Sequence, residues 1–123
     1  MNVEQIAARL VELCRAGKFE EAQKELYAND AVSIEAEGTP MAAGGPAKGL
    51  DAIYEKGRHF NASIETYHGL KVSDALVADN WFCLTMELDV TMKQYGRQLM
   101  KEVCVYHVRD GKIDREQFFY DAG

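Results

Sequence analysis

The apolar residues at the start of the chain recur at helical spacing. Val3, Ile6, Leu10 and Leu13 step by three or four positions, which places them on one face of a helix. Gly17 follows at a point where a residue in the left-handed conformation commonly ends a helix. A short second helix is predicted by the next three apolar positions, which are Phe19, Ala22 and Leu26.

In the middle of the chain the spacing of the apolar residues changes. Residues 31–38, AVSIEAEG, alternate between apolar and polar side chains and predict a strand. Residues 38–49 contain both prolines of the chain and several glycines, which is typical of a loop. Helical spacing returns from Leu50 to Phe60. Four further strands are then predicted, at roughly 63–73, 76–92, 98–109 and 112–120.

This order of elements predicts an α+β fold. Two or three helices come first and a strand-rich half follows, so the helices are expected to pack on one face of a curved antiparallel sheet. The chain has 123 residues and no internal repeat, so we expect a single domain over residues 1–123.

Composition and charge narrow the possible functions. With 47% hydrophobic and 28% charged residues, the chain has an ordinary globular composition. The net charge of −6 disfavours a nucleic-acid partner, which needs clustered Lys and Arg. The apolar runs are too short for a membrane span, and the N-terminus lacks the features of a signal peptide. We therefore expect a cytoplasmic protein with no membrane partner.

The residue types that commonly bind metals or cofactors are not clustered along the sequence. Cys14, Cys83 and Cys104 are odd in number and widely spaced, as expected for reduced thiols. The histidines have no spacing that would gather them on one metal, and GGPAKG lacks the GxxxxGK pattern of a phosphate loop. We expect no metal and no cofactor.

The turn in VRDGKI, residues 108–113, determines which side chains of the last two strands share a face. A two-residue Asp110–Gly111 loop would pair Tyr106 with Arg115. A three-residue loop with a bulge at Gly111 would pair Cys104 with Glu116. In the second register one face carries residues of both strands: Met100, Glu102, Cys104, Tyr106, Glu116, Phe118 and Tyr120. The pattern alone fits both registers.

Three segments resemble a known family. AGKF at 16–19, YANDAV at 27–32 and DGKI at 110–113 look like the SnoaL-like branch of the nuclear transport factor 2-like superfamily. That superfamily also holds ketosteroid isomerase and polyketide cyclases, and it uses one fold for many chemistries. The resemblance implies a cone-shaped α+β barrel in which the even positions of the last two strands face inward. It therefore favours the three-residue turn.

The resemblance also makes Glu35 a candidate catalytic residue. Glu35 stands where the isomerases carry the aspartate that moves a proton beside a carbonyl. The positions of their two oxyanion donors fall at Leu10 and Cys104, so neither donor is present. Glu35 would serve as a base or a hydrogen-bond acceptor; the alternative is a strand-end glutamate that reaches solvent.

Glu102 and Glu116 are the other two candidate catalytic residues. In the three-residue register they are near-diagonal neighbours on the inner face. Two carboxylates held together away from water do not both ionise cheaply, so one would hold a proton or recruit a cation. General acids and bases arise in such pairs. The alternatives are that either residue pairs with a Lys or Arg, or that Glu116 faces water.

The predicted inner wall is mostly apolar. In strand 76–92 we assign Phe82, Leu84, Met86, Leu88 and Val90 to the concave face. An apolar wall with a few polar groups suits a small apolar or amphipathic molecule. The candidate ligand-binding residues are Tyr54, Met86, Met100, Cys104, Tyr106, Phe118 and Tyr120.

Two functions remain open. One is a SnoaL-like pocket protein without an assigned activity that binds a ligand in the cone. The other is a cofactor-free isomerase, cyclase or dehydratase that uses the pocket carboxylates for proton transfer. The outer sheet face, with Trp81, Val103 and Val105, is too apolar to remain in water as one patch. The resemblance implies that a two-fold dimer buries this face, so we expect a homodimer.

Overall fold

The computed structural model describes residues 1–121 as three helices packed against one mixed sheet of seven strands. The helices are α1 (Val3–Arg15), α2 (Phe19–Leu26) and α3 (Leu50–Ala62). The strands are β1 (Tyr27–Ile34), β2 (Ala47–Lys48), β3 (Ile64–Val72), β4 (Leu76–Ala78), β5 (Trp81–Met92), β6 (Gly96–Arg109) and β7 (Lys112–Phe119). The expected α+β fold is confirmed.

The sheet has the strand order β2-β1-β7-β6-β5-β3, with β4 also paired to β5. Strands β1 and β7 run parallel, whereas the other pairs are antiparallel. The sheet was expected to be antiparallel throughout, and the parallel pair corrects that expectation. It arises because the chain leaves β1 through α3 and returns to the neighbouring position only with its last strand. The parallel pair places side chains of β1 beside those of β7.

The predicted first helix is confirmed, and its ends follow from local chemistry. The side chain of Asn2 accepts a hydrogen bond from the Gln5 N–H at 2.8 Å, and the Gln5 side chain accepts one from the Asn2 N–H at 2.9 Å. Gly17, with a φ of 73°, provides the left-handed residue after the helix. The face with Ile6 and Leu10 is buried against the sheet.

Strand β5 has the predicted alternation. Its inner residues are buried: Phe82, Leu84, Met86, Leu88 and Val90. Trp81, on the other face, keeps 44% of its surface exposed. The predicted single strand 76–92 is wrong, because Asp79, with a φ of 55°, turns the chain. Leu76 consequently pairs back onto Cys83, and the segment forms the hairpin β4–β5.

The first strand begins and ends earlier than the predicted 31–38. It starts at Tyr27 because that residue already pairs with Ile113 of β7. It stops at Ile34, so Glu35 lies one residue beyond the strand.

The hairpin β6–β7 corrects the predicted turn. The loop has two residues, Asp110 and Gly111, with φ values of 52° and 75°, and Arg109 pairs with Lys112. A bulge follows: Val108 pairs with Ile113 and His107 with Arg115, so the residue between them, Asp114, is unpaired.

This bulge preserves the predicted face. It shifts β7 by one residue, which sets Tyr106 opposite Glu116 and Cys104 opposite Phe118. The predicted pair Cys104–Glu116 is therefore wrong, although Glu116 and Phe118 do share the inner face with Cys104 and Tyr106.

Candidate functional site

Glu116 is the most deeply buried carboxyl group among the inner polar residues. It is 4% exposed, and the parallel pairing of β1 with β7 sets it beside Ser33, which is 1% exposed. Glu116 Oε2 accepts a hydrogen bond from Ser33 Oγ at 2.6 Å, and its Oε1 accepts one from the Tyr27 hydroxyl. Both carboxyl oxygens thus have donors inside the protein.

Burial disfavours the ionised form of the Glu116 carboxyl. Loss of solvent raises the pKa of this carboxyl, and the nearby Glu35 raises it further. The charge of Lys56 and the two hydroxyl donors lower the pKa, but burial outweighs them. The net direction is upward, so Glu116 is more readily protonated than a free glutamate.

Lys56 links the carboxylates. Ile53 is fully packed on the inner side of α3, and Lys56 follows three positions later on the same side of the helix. Its ammonium donates to Ser33 Oγ and, at 2.8 Å, to Glu35 Oε1. Its Nζ also lies 5.2 Å from the centre of the Phe118 ring.

Glu35 joins this cluster to the segment that follows β1. Its side chain is 11% exposed, so the alternative of a glutamate that reaches solvent is not what the structure shows. Besides Lys56, it receives a hydrogen bond from the Tyr120 hydroxyl at 3.2 Å. That hydroxyl is also 3.4 Å from the hydroxyl of Thr39, which is itself buried.

Glu102 is the carboxyl of this group whose pKa is raised to a value near neutral. It lies opposite Met86 on the inner face and is only partly buried. Burial raises its pKa to about 7, with Glu35 adding to the effect and the Cys104 thiol opposing it. The Cys104 Sγ lies 3.7 Å from Glu102 Oε1, which is a weak hydrogen bond. This carboxyl therefore changes its protonation near neutral pH.

Glu102 and Glu116 are not the near-diagonal neighbours that were predicted. Because Glu116 pairs with Tyr106, the two glutamates are four residues apart along the hairpin, with the pair Cys104–Phe118 between them. The charge of Glu35 raises the pKa of Glu102 more than the charge of Glu116 does. Glu35 is thus the stronger electrostatic neighbour of Glu102.

The candidate ligand-binding residues are distributed unevenly. Met86, Cys104 and Tyr106 are buried in the core, and Met100 and Phe118 are half-buried next to it. The Tyr106 ring stacks on Phe82 at 4.8 Å between ring centres. These positions agree with the predicted inner face.

Tyr54 is separated from the group. Lys24 and Arg58 lie over its ring, at 5.9 and 5.7 Å from the ring centre. Residues two apart on a helix do not face the same way, so Tyr54 points away from the direction of Lys56.

The sequence reasoning missed three members of the cluster, Tyr27, Ser33 and Lys56. A signal existed for two of them. Ser33 alternates in phase with the buried Ala31, and Lys56 follows Ile53 at helical spacing. A polar residue in phase with apolar ones indicates an inward polar side chain.

Other features of the described chain lie elsewhere. Two surface depressions adjoin the β6–β7 turn, one beside Met1 and the other beside Leu50, and neither is lined by the three candidate carboxylates. Within residues 1–121, no three His, Cys, Asp or Glu side chains are arranged to hold a metal ion. Over the same range, no helix has the length and apolar character needed to span a membrane.

The fold is that of nuclear transport factor 2-like proteins. Residues 1–120 match the family model of the SnoaL-like domain, and the chain belongs to that family. The resemblance inferred from the three motifs is confirmed. No curated protein matches the chain.

Solved structures agree with this assignment. A protein from Mesorhizobium loti, named as a candidate SnoaL-like polyketide cyclase [carbohydrate phosphatase], is 35% identical with a TM-score of 0.89, over 98% of this chain and 100% of that one. An NTF2-like protein from Burkholderia thailandensis is 20% identical with a TM-score of 0.83, over 99% and 92%. TerC, co-crystallised with polyporic acid, is 17% identical with a TM-score of 0.76, over 98% and 92%. The last two show the fold alone.

Proposed function

We propose that the protein binds a small amphipathic molecule at the inner face of β6 and β7, against Glu102, Lys56 and Phe118. The observation that carries this proposal is the partly exposed Glu102, which projects from the same face as the half-buried Met100 and Phe118. A polar group that is set among apolar side chains and still reaches solvent is typical of ligand sites.

The names of two related structures support a small organic ligand. The Mesorhizobium loti protein carries the name of a polyketide cyclase, and TerC was co-crystallised with polyporic acid. The apolar inner wall of this chain is compatible with such molecules.

Methionine methyl groups provide the test. Carbon-13 methyl spectra of the protein are recorded with a panel of flat amphipathic molecules, starting from 2-naphthol. We expect the signals of Met86 and Met100 to shift in a saturable way, while Met1, which is 62% exposed, does not respond. No response of Met86 and Met100 to any panel member would contradict the proposal.

A second candidate function is acid–base catalysis without a cofactor. The pKa of Glu102, which burial raises to about 7, favours this function because a group with that pKa both accepts and releases protons at neutral pH. A proton next to a carbonyl group is the natural target of such a base.

Exchange of solvent deuterium into 2-tetralone tests this activity. We expect exchange above the buffer rate, and we expect it to rise with pH through about 7 as Glu102 loses its proton. Glu102→Gln should lower the enzymatic rate about 100-fold or more. The matched control is Glu65→Gln, since Glu65 is exposed on β3. Equal rates for both variants would refute the catalytic role.

A further inference from the structure

The segment between β1 and β2, residues 37–45, starts and ends at the polar cluster. It follows Glu35, which lies one residue beyond β1, and it leads into Ala47, which pairs with Ser33. Its regular structure is the single turn of 3₁₀ helix Pro40–Ala42. Since both ends are anchored next to the cluster, a movement of this segment covers or exposes the polar side chains.

The backbone of segment 37–45 forms hydrogen bonds only within itself and to Ala36. These bonds end on carbonyl oxygens of residues 36–42, and their donors are the N–H groups of Thr39, Ala42, Ala43 and Gly45. Within residues 1–121, no backbone hydrogen bond of the segment reaches α1, α2, α3 or the sheet. The segment is therefore not held by the secondary structure that fixes the rest of the site.

Two glycines in the left-handed conformation flank the middle of the segment. Gly38 has a φ of 79° and Gly45 has a φ of 78°. Beyond its chain neighbours, a Cβ atom placed at either glycine would meet no atom within 4 Å, so no packed neighbour fixes these backbone angles. Hinges are residues that absorb large changes of φ and ψ without obstruction. The two glycines have this property, and residues 39–44 between them can swing as one body.

A single polar contact joins segment 37–45 to the rest of the described chain. Thr39 is 7% exposed, and its hydroxyl donates to the Ala36 carbonyl oxygen at 2.7 Å. The Tyr120 hydroxyl lies 3.4 Å from Thr39 Oγ1 and 3.2 Å from Glu35 Oε2, so its one proton is shared between the segment and the cluster. Hydrogen bonds of this length are weak. The contact between Tyr120 and Thr39 is therefore easily broken.

The polar cluster is largely closed to solvent. The exposed fraction is 4% for Glu116, 11% for the Glu35 side chain and 19% for the Lys56 side chain. A ligand that contacts Lys56 therefore needs part of the protein to move. Strands β1 and β7 are fixed by their pairing, and α3 is fixed by the buried Ile53. Segment 37–45 has one weak polar contact to lose, so it moves at the lowest cost.

We propose that segment 37–45 is a lid that opens about Gly38 and Gly45 to admit the ligand. The contact between Tyr120 and Thr39 is the latch that keeps the lid closed, and the closed lid is the state of this structure. This inference rests on the proposed function and adds the step that controls entry to the site. Because the ligand enters only while the latch is broken, its association rate is proportional to the fraction of molecules with an open lid.

Two single variants remove the latch from its two sides. Tyr120→Phe deletes the hydroxyl and keeps the ring, whereas Thr39→Val keeps the bond from Tyr120 to Glu35. The association rate constant is measured by stopped-flow fluorescence of 2-naphthol. We expect association to be about two- to tenfold faster in either variant, which is the factor that a neutral hydrogen bond contributes. The double variant should be no faster than the single ones, because both changes remove the same contact.

The control for these variants is Tyr95→Phe, since Tyr95 is 69% exposed in the β5–β6 turn. It should bind 2-naphthol at the rate of the parent. Unchanged association in Tyr120→Phe and Thr39→Val would overturn the latch, and so would faster association in only one of them. Faster dissociation with unchanged association would show that Tyr120 contacts the ligand directly, which also overturns the latch.

Relaxation dispersion of the methionine methyl groups tests the lid in the unmodified sequence. Met41 is half-buried in the lid, whereas Met92 belongs to β5. Without ligand, we expect microsecond-to-millisecond exchange at the Met41 methyl group and none at Met92. No exchange at Met41 while Met86 and Met100 respond to 2-naphthol would overturn the lid and leave the proposed function standing. Exchange at Met41 with no response of Met86 and Met100 to any panel member would overturn the proposed function, and the role of the lid in ligand entry with it.

Discussion

Ser33 on β1 and Glu116 on β7 lie side by side in the parallel strand pair, and the serine hydroxyl donates to the glutamate Oε2 at 2.6 Å. Lys56 donates to the same hydroxyl. The serine thus connects a buried carboxyl to an ammonium. The Tyr27 hydroxyl donates a hydrogen bond to the other carboxyl oxygen. This arrangement offsets part of the cost of removing Glu116 from water.

The first prediction concerns this serine. Ser33→Ala deletes the donor to Glu116 and the acceptor of Lys56 in a site that is closed to water. We expect the free energy of unfolding to fall by about 1–3 kcal/mol, as measured by urea denaturation. Thr66→Ala, on the exposed part of β3, should change it by less than about 0.5 kcal/mol. A loss at Ser33 as small as that at Thr66 would contradict the arrangement.

The second prediction concerns which carboxyl groups are coupled. The charge of Glu35 acts on Glu102 more strongly than that of Glu116. In double-mutant cycles at pH 8, we expect Glu102→Gln to couple to Glu35→Gln by about 0.5 kcal/mol or more, because either change relieves the same repulsion. Coupling of Glu102→Gln to Glu116→Gln should be smaller. The reverse order would show that the hairpin register is wrong.

The third prediction is a pH dependence of stability. The pKa of Glu102 is raised from 4.5 to about 7, so between these values the folded protein keeps a proton that the unfolded chain has released. Stability therefore falls as the pH rises through this window, and the contribution is constant above it. We expect Glu102→Gln to remove about 1–2 kcal/mol of this fall, after allowance for the partial exposure of Glu102. Urea denaturation at several pH values measures it, and parallel curves for parent and variant would refute it.

The fourth prediction is a homodimer through the outer sheet face. Val103 pairs with Thr85 on one side and Phe119 on the other, so these residues form a row across three strands. Val103 is 42% and Phe119 48% exposed, as expected for a patch that a partner covers. Light scattering at micromolar concentration should give the mass of a dimer, and Val103→Lys should give that of a monomer. Tyr95→Lys, in the β5–β6 turn, is the control. A monomer mass for the parent at every concentration would rule out the dimer.

Much of the fold could be predicted from local pattern. The alternation along β5 identified its buried face because a strand with one face in the core repeats every two residues. The motifs that resemble the SnoaL-like family added the inward direction of the even positions in β6 and β7. The bulge at Asp114 could not be foreseen, since two turns fit the pattern and only the packed hairpin selects between them.

The candidate site was predicted only in part. Glu35, Glu102 and Glu116 all belong to one cluster, but the residues that satisfy them were not identified. Tyr27 and Ser33 contact Glu116 because β1 and β7 pair in parallel. Lys56, which contacts Ser33, lies on a helix that is distant from β7 in the sequence. Such contacts depend on tertiary packing, which the spacing of residues along one strand does not encode.

The central claim is that the inner face of β6 carries a carboxyl group, that of Glu102, which exchanges protons at neutral pH. A carbon-13 titration of the glutamate side chains measures this directly, with the Glu102 signal assigned by Glu102→Gln. Our account predicts a midpoint near pH 7 for Glu102, and a lower midpoint in Glu35→Gln because the repulsion from Glu35 is removed. A midpoint near 4.5, the ordinary value of a solvated glutamate, would contradict it.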